Sequence, residues 1–277
     1  MTEQRVINSD ALTALCKMND FSIDCLITSP PYYNLRDYHN KATSYSDGTT
    51  GQLGQEADVD LYIKHLVQIF HEAHRVLKDT GACWVNLGDT YDKHGALYQV
   101  PARFALAMSA DGWLLRNEII WQKPNAMPQS SKTRFTIDFE KMFFFVKQPK
   151  YYFRQYLEAL KCPNAVSDNA SNKHALYGRA TYSGWHYDAS ELKGRNKRCV
   201  WSIATHGSRT VHCAVFPEQL LDVPLHCCVP EHGTVLDCFA GAGTVLLYCK
   251  KHDINVIGIE LNASYCELIK QTLSIKH

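Results

Sequence analysis

No stretch of the 277 residues approaches the ~18 consecutive apolar residues of a membrane-crossing helix, so a helical membrane span is not expected. The first residues lack a charged segment followed by an apolar one, the pattern of an export signal, and a cytoplasmic location is expected. Tracts rich in Pro and Gly, or in one sign of charge, are also missing, which argues against long disorder. Among eleven cysteines there is no Cys-x-x-Cys pair. The densest cluster, His226-Cys227-Cys228 with His232, puts two adjacent thiols where a tetrahedral zinc site needs spaced ones, so no metal is expected. Cys25, Cys83 and Cys238 stand in apolar company and read as small buried hydrophobes.

What is present is an apolar content of 45%, enough for a large globular core, and a length that fits one large α/β domain with an inserted module. Strand-like and helix-like segments alternate. Residues 5–8, 23–28, 82–87, 114–121, 142–146, 234–237 and 255–259 read as seven strands. Helical patterns cover 11–18, 59–77, 100–110, 243–251 and 263–273. Such alternation predicts a doubly wound, mostly parallel sheet, with 114–121 and 142–146 as an antiparallel pair within it.

Residues 154–205 do not follow the pattern, being polar, rich in turns and weakly periodic. The net charge of +1 hides an asymmetry there: between 150 and 211, ten Lys and Arg face four Asp and Glu, interleaved with aromatics such as Tyr156, Tyr182 and Trp185. Basic residues mixed with aromatics fit a nucleic-acid surface, with Arg195, Lys197 and Arg198 as the densest run. A second polar, positive loop, 125–134, carries Lys132 and Arg134 between two strands and is suited to gripping phosphates. The expected organisation is a catalytic part, 1–153, an insertion, 154–205, and a cofactor-binding part, 206–277, of the same domain.

Two motifs carry chemistry. Thr28-Ser29-Pro30-Pro31-Tyr32 ends the apolar run Ile23–Ile27. The prolines stop strand pairing and remove two donors, leaving a stiff turn that presents the Ser29 hydroxyl and backbone carbonyls, with Tyr32 as an aromatic plate beyond. That corner suits a flat ring bearing an amino group. The second motif, Asp237-Cys238-Phe239-Ala240-Gly241-Ala242-Gly243-Thr244, follows a strand and opens a helix, the context of a nucleotide loop. Glu260 ends the next strand, where an acid can hold two ribose hydroxyls. This spacing alone also fits an NAD enzyme.

Together the motifs resemble those of amino-group DNA methyltransferases, which carry a (Ser/Asp/Asn)-Pro-Pro-(Tyr/Phe) corner. The order, catalytic motif first, then recognition region, then cofactor loop, resembles their β group. The resemblance implies a Rossmann-like methyltransferase fold with circularly permuted motif order and S-adenosylmethionine as cofactor. It assigns Ser29, Pro30, Pro31 and Tyr32 to catalysis and Asp10, Phe216, Pro217, Asp237, Phe239, Gly241, Gly243, Thr244 and Glu260 to the cofactor. Ser9 stands before Asp10 where the family usually has Gly. The substrate implied is double-stranded DNA with the target base flipped out, and 154–205 is the region in which such enzymes diverge to read different sites. Ser29 in place of Asp is typical of N4-cytosine enzymes, with N6-adenine as the alternative. A 5-methylcytosine enzyme commonly has its cysteine nucleophile after a proline, and no Pro-Cys dipeptide occurs. Protein-glutamine methyltransferases normally carry Asn before Pro-Pro-Tyr and place that corner after the cofactor loop; a non-catalytic DNA-binding derivative would have lost one of the two motifs. There is no room for a nuclease domain, so a restriction endonuclease would be a separate chain; a homodimer is left open.

Overall fold

The computed structural model describes residues 2–37, 42–159, 194–205 and 217–274. They fall into two compact units, one formed by 1–154 with 199–277, the other by 155–198. The large unit is built on an eight-stranded sheet. Its strands in chain order are β1 (Gln4–Asn8), β2 (Ile23–Thr28), β5 (Leu77–Leu87), β6 (Leu114–Gln122), β7 (Phe139–Val146), β10 (Val200–Ser202), β11 (Thr234–Asp237) and β12 (Asn255–Glu260), with the short hairpin β3 (Thr43–Ser44) and β4 (Thr50–Gly51) apart from it. Their order in space is β1-β12-β11-β2-β5-β7-β6-β10. Only β7 runs antiparallel to its neighbours, as the expected β6–β7 pair requires.

All seven expected strands are present. The eighth, β10, lies inside the segment expected to stand outside the sheet: Val200, Trp201 and Ser202 pair in parallel with Ile120, Trp121 and Gln122. The insertion is therefore narrower than 154–205, and the separate unit runs from 155 to 198. Three residues carry too little periodicity to be read as a strand; burial of Trp201 against Trp84 holds them there. Within the small unit, β8 (Leu157–Glu158) and β9 (Arg195–Asn196) form an antiparallel pair.

The helices follow from their patterns. Helix α1 (Ala11–Cys16) starts at Asp10, whose carboxylate accepts from the Thr13 amide at 2.9 Å. Helix α2 (Val59–Val76) is capped by Asp58 and buries Tyr62, Leu66, Ile69, Phe70 and Ala73 at helical spacing. Helix α3 (Val100–Ala110) follows, with Pro at its first turn. Helix α4 (Gln219–Cys228) is one the sequence did not announce: Pro224 sits inside it and Glu218 makes no side-chain cap. It carries Cys227 and Cys228 into the core against β2 and β5. Helices α5 (Thr244–Lys251) and α6 (Ala263–Ser274) complete the unit. Among the described residues, no helix is long and apolar enough to cross a membrane, and no group of three His, Cys, Asp or Glu is placed to hold a metal.

The chain leaves β2 and β11, neighbours in the sheet, for opposite sides: β2 leads to β5, β11 to β12. That is a topological switch point, where open α/β sheets form their ligand crevice at the carboxyl ends of the strands. Helix α2 fixes one wall, because the buried Tyr62 donates its hydroxyl to the Pro31 carbonyl at 2.8 Å. Tyr62→Phe leaves that carbonyl short of a donor, which should cost about 1–3 kcal/mol. The urea midpoint should fall at constant m-value; an unchanged midpoint would show that the bond does not hold the corner.

Candidate active site

A cavity of about 560 Å³ opens at the switch point, and both motifs line it. Ser29, Pro30, Pro31 and Tyr32 form one side, at the end of β2. Two glycines make room for them. A Cβ at Gly88 would sit 2.7 Å from the Tyr32 ring, and one at Gly54, with φ +92°, would sit 2.9 Å from the Tyr32 carbonyl oxygen. The ring of Tyr32 is thus held by close packing.

Its hydroxyl is held by polar partners that sequence reading missed. Tyr32 Oη donates to Glu140 Oε2 at 2.6 Å. Asn86 Nδ2 donates to the same carboxylate oxygen at 2.6 Å and to Tyr32 Oη at 2.7 Å. Lys123 Nζ pairs with Glu140 Oε1 and lies 4.5 Å from the Trp121 ring centroid. Ser29 Oγ donates to Tyr32 Oη at 3.4 Å. Burial, then the Glu140 charge, pushes the phenol well above its ordinary range, so Tyr32 keeps its proton. A signal was available: Asn86, Trp121 and Lys123 stand at the carboxyl ends of β5 and β6, and antiparallel β7 starts at the same edge with Glu140.

The opposite side is the glycine loop. Asp237 is buried at the end of β11 and accepts from Thr28 Oγ1 at 2.6 Å and from the Phe239 amide at 3.1 Å, both on Oδ1. Burial raises its pKa to about 7, against the pull of those two donors. Glu260 accepts from the Gly241 amide at 2.8 Å and the Asn262 amide at 2.7 Å, and burial raises its pKa too. Phe239, Gly241 and Thr244 line the cavity. Gly241 has φ +52°, and a Cβ there would meet nothing within 4 Å, so its glycine leaves open space in the cavity wall.

Not all of the expected cofactor residues line the cavity. Gly243 does not line the cavity; at φ +87° it starts α5, and a Cβ would lie 2.7 Å from Ile269 Cγ1, so its smallness serves helix packing. Pro217 is buried but is not part of the cavity wall, and Phe216 lies outside the described residues. Asp10 does line the cavity, although one of its oxygens is taken by the α1 cap. Cys238 lines it as well, with a thiol that burial pushes far up, which leaves no thiolate nucleophile there.

The expected DNA-contacting residues are scattered. Lys132 is exposed on the loop between β6 and β7, while the Arg134 guanidinium stacks 3.9 Å from the Tyr91 ring centroid. In the small unit, Arg195 and Lys197 both pair with Glu158, at 3.3 and 2.9 Å, so part of that basic run is neutralised within its own hairpin. Arg198 beside them is exposed.

A Rossmann-like sheet with a Ser-Pro-Pro-Tyr corner facing a glycine loop defines a class, and comparison with known proteins places the chain in it. The chain belongs to the N6/N4 DNA methylase family, which it matches over residues 23–271. It is a DNA methyltransferase. It is 33% identical to the Type II methyltransferase M.SmaI of Serratia marcescens, across 97% of this chain and 90% of that protein. With the Type II methyltransferase M.Cfr9I of Citrobacter freundii it shares 32% identity, over 95% and 85% of the two chains. In fold it is similar to the cytosine-N4-specific PvuII DNA methyltransferase (TM-score 0.71, 16% identity, 100% of this chain and 88% of that one). It is similar also to M1.HpyAVI in its SAM complex (TM-score 0.61, 18% identity, 98% and 99%).

The raised pKa of Asp237 has a consequence for stability. Between its ordinary 3.8 and about 7, the folded protein holds a proton that the unfolded chain has released, so stability falls as pH rises through that window. Asp237→Asn keeps an Oδ1 acceptor for Thr28 and Phe239 but cannot ionise. The variant should lose most of this slope and exceed the parent at pH 8 by on the order of 2–4 kcal/mol. Parallel stability-versus-pH curves would contradict the burial argument.

Proposed function

We propose that the chain transfers a methyl group from S-adenosylmethionine to the exocyclic N4 amine of a cytosine flipped out of double-stranded DNA. The observation that carries this reading is the shared cavity: the Ser29 corner and the Asp237/Glu260 loop, far apart in sequence, face one space of about 560 Å³. The residues fit the cofactor. Gly241 leaves room in the wall, Phe239 offers an aromatic face, Glu260 has lone pairs left for ribose hydroxyls, and Asp10, Asp237 and Thr244 stand around the same space. When bound, S-adenosylmethionine supplies a methyl group on a sulfonium leaving group.

The chain's own contribution is binding and orientation. An amine buried in base pairing has to leave the stack before it can be reached, hence base flipping. Tyr32, packed on Gly88, presents its ring to the base, a contact worth ~1–3 kcal/mol. Ser29 Oγ and the Pro30 carbonyl accept from the amine and favour the positive charge that develops on nitrogen, the differential binding that lowers the barrier. Ser29 in place of Asp supports cytosine N4 over adenine N6. Lys132, Arg134, Arg198 and the remainder of the basic insertion, with Arg195 and Lys197, are the proposed DNA contacts. The Type II relatives support a place in a restriction-modification system; a separate endonuclease chain and a cytoplasmic site of action belong to the same proposal.

Mass spectrometry of nucleosides from DNA treated with the purified protein should find N4-methylcytosine; N6-methyladenine would move the target to adenine, and no methylated base would overturn the reading. Ser29→Ala should lower turnover by about 2–4 kcal/mol in barrier terms while leaving cofactor affinity nearly unchanged. Glu260→Ala should weaken S-adenosylmethionine binding by roughly 1.5–3 kcal/mol in calorimetry, through lost hydroxyl contacts and a loosened Gly241 loop. Full affinity in that variant would remove the cofactor from this end of the sheet.

A further inference from the structure

The acceptor role of Ser29 raises a question of direction. A serine hydroxyl has one hydrogen and two lone pairs, and it can also turn its hydrogen toward a neighbour. An amine is oriented for attack only if Ser29 offers it a lone pair, so its own hydrogen needs another acceptor. Ser29 Oγ donates to Tyr32 Oη, 3.4 Å away, a long contact of the kind that tightens when a catalytic site is filled. A phenol is equally ambiguous until something fixes its proton.

Glu140 fixes it. An ionised carboxylate only accepts, so the 2.6 Å contact has Tyr32 donating. The Asn86 amide lies within 2.6 Å of the same carboxylate, which forces its nitrogen to that side and makes it a second donor to the phenol oxygen at 2.7 Å. Lys123 holds the other carboxylate oxygen. With its hydrogen committed to Glu140 and one lone pair taken by Asn86, Tyr32 has one capacity left toward Ser29: to accept.

We propose that Glu140, anchored by Lys123 and Asn86, is a positioning residue that sets the direction of hydrogen bonding through Tyr32, so that the lone pairs of Ser29 face the target amine. No bond to the amine is made by Glu140, and no proton needs to leave by this route. The phenol thereby has a role separate from its ring, one that a phenylalanine cannot fill. The inference rests on the assignment of Ser29 to the amine.

The test is a double-mutant cycle read by single-turnover transfer of labelled methyl to DNA, which counts product on either base. Tyr32→Phe keeps the ring against Gly88 and removes only the hydroxyl. It should slow transfer on the order of ten-fold or more, the effect of one misdirected hydrogen bond, with cofactor affinity unchanged. Glu140→Gln, which offers an amide hydrogen where the carboxylate could only accept, should cost about as much, and the two together no more than the worse one. In a Ser29→Ala background, Tyr32→Phe should be silent. Wild-type rates for Tyr32→Phe would overturn the proposal, as would a full loss that persists without Ser29, since the hydroxyl would then act by a route other than Ser29. A parent protein that transfers no methyl at all would remove the underlying reading, and the proposal with it; that failure shows in the wild type, not in the variants.

Discussion

Thr28 Oγ1 and Asp237 Oδ1 meet at 2.6 Å, across 209 residues of sequence. The bond closes the carboxyl ends of β2 and β11, the two strands from which the chain departs to opposite halves of the sheet. One residue beyond Thr28 stands Ser29; two beyond Asp237 stands Phe239 and, after it, the Gly241 turn. A register slip of one residue between β2 and β11 would turn both ends to the wrong faces and separate the corner from the loop. Val235 against Cys25 and Leu236 against Leu26, all buried, set that register. The site thus depends on a small apolar pairing at the middle of the sheet, with Thr28 and Asp237 as its polar seal.

Around this seam the fold buries groups that a core would ordinarily reject. Asp24, Asn86 and Asp237 are buried, and Glu140 is half-buried with Lys123. Each makes hydrogen bonds, although Asn86 Oδ1 has no partner among the described residues. Asp24 is paired with Lys78 at 2.8 Å and accepts from the Thr234 amide at 2.9 Å. Asp237 and Glu260 accept from loop amides, Glu140 from three donors on three separate segments. A carboxylate with several well-placed donors can stay ionised in a dry setting, whereas removal of one donor leaves a charge that is costly to bury. Rigidity of the corner comes from the same source, since Tyr32, Asn86, Lys123 and Glu140 arrive from β2's end, β5, β6's end and β7 and lock one another's rotamers.

What could be read from sequence follows the range of the forces involved. Strands such as Ile23–Thr28 declare themselves as short apolar runs and helices such as Val59–Val76 through an apolar stripe at helical spacing, both local. The two motifs were legible because proline and glycine impose backbone geometry on their immediate neighbours. Gly243 shows the limit of that logic: its positive φ was foreseeable from the loop pattern, but its crowding by Ile269 depends on α6, and so its role is packing and not ligand approach. Helix α4 was hidden by Pro224 and a missing cap, and its existence rests on burial of Leu220, Leu221, Cys227 and Cys228. Glu140 and Lys123 lie 17 residues apart and meet only because β6 and β7 pair antiparallel, with Trp121 opposite Glu140. Nothing in either local sequence marks them as partners.

The loop side and the corner side differ in how they are prepared. At the corner, Tyr32, Glu140 and Lys123 already hold one another, and Tyr32 keeps its proton because burial and Glu140 leave it no alternative. At the loop, Asp237 and Glu260 are both shifted toward the neutral form by burial, and the few amides that face them do not offset it. Two under-compensated carboxylates at one end of a cavity make that end receptive to hydroxyl donors and to positive charge, whose arrival favours the ionised form. The folded chain carries this as a pH-dependent weakness near neutrality, while the hydrophobic seam between β2 and β11 supplies the stability that lets it persist. Local rules of burial are broken where a ligand can complete them, and kept where the protein must hold its own shape.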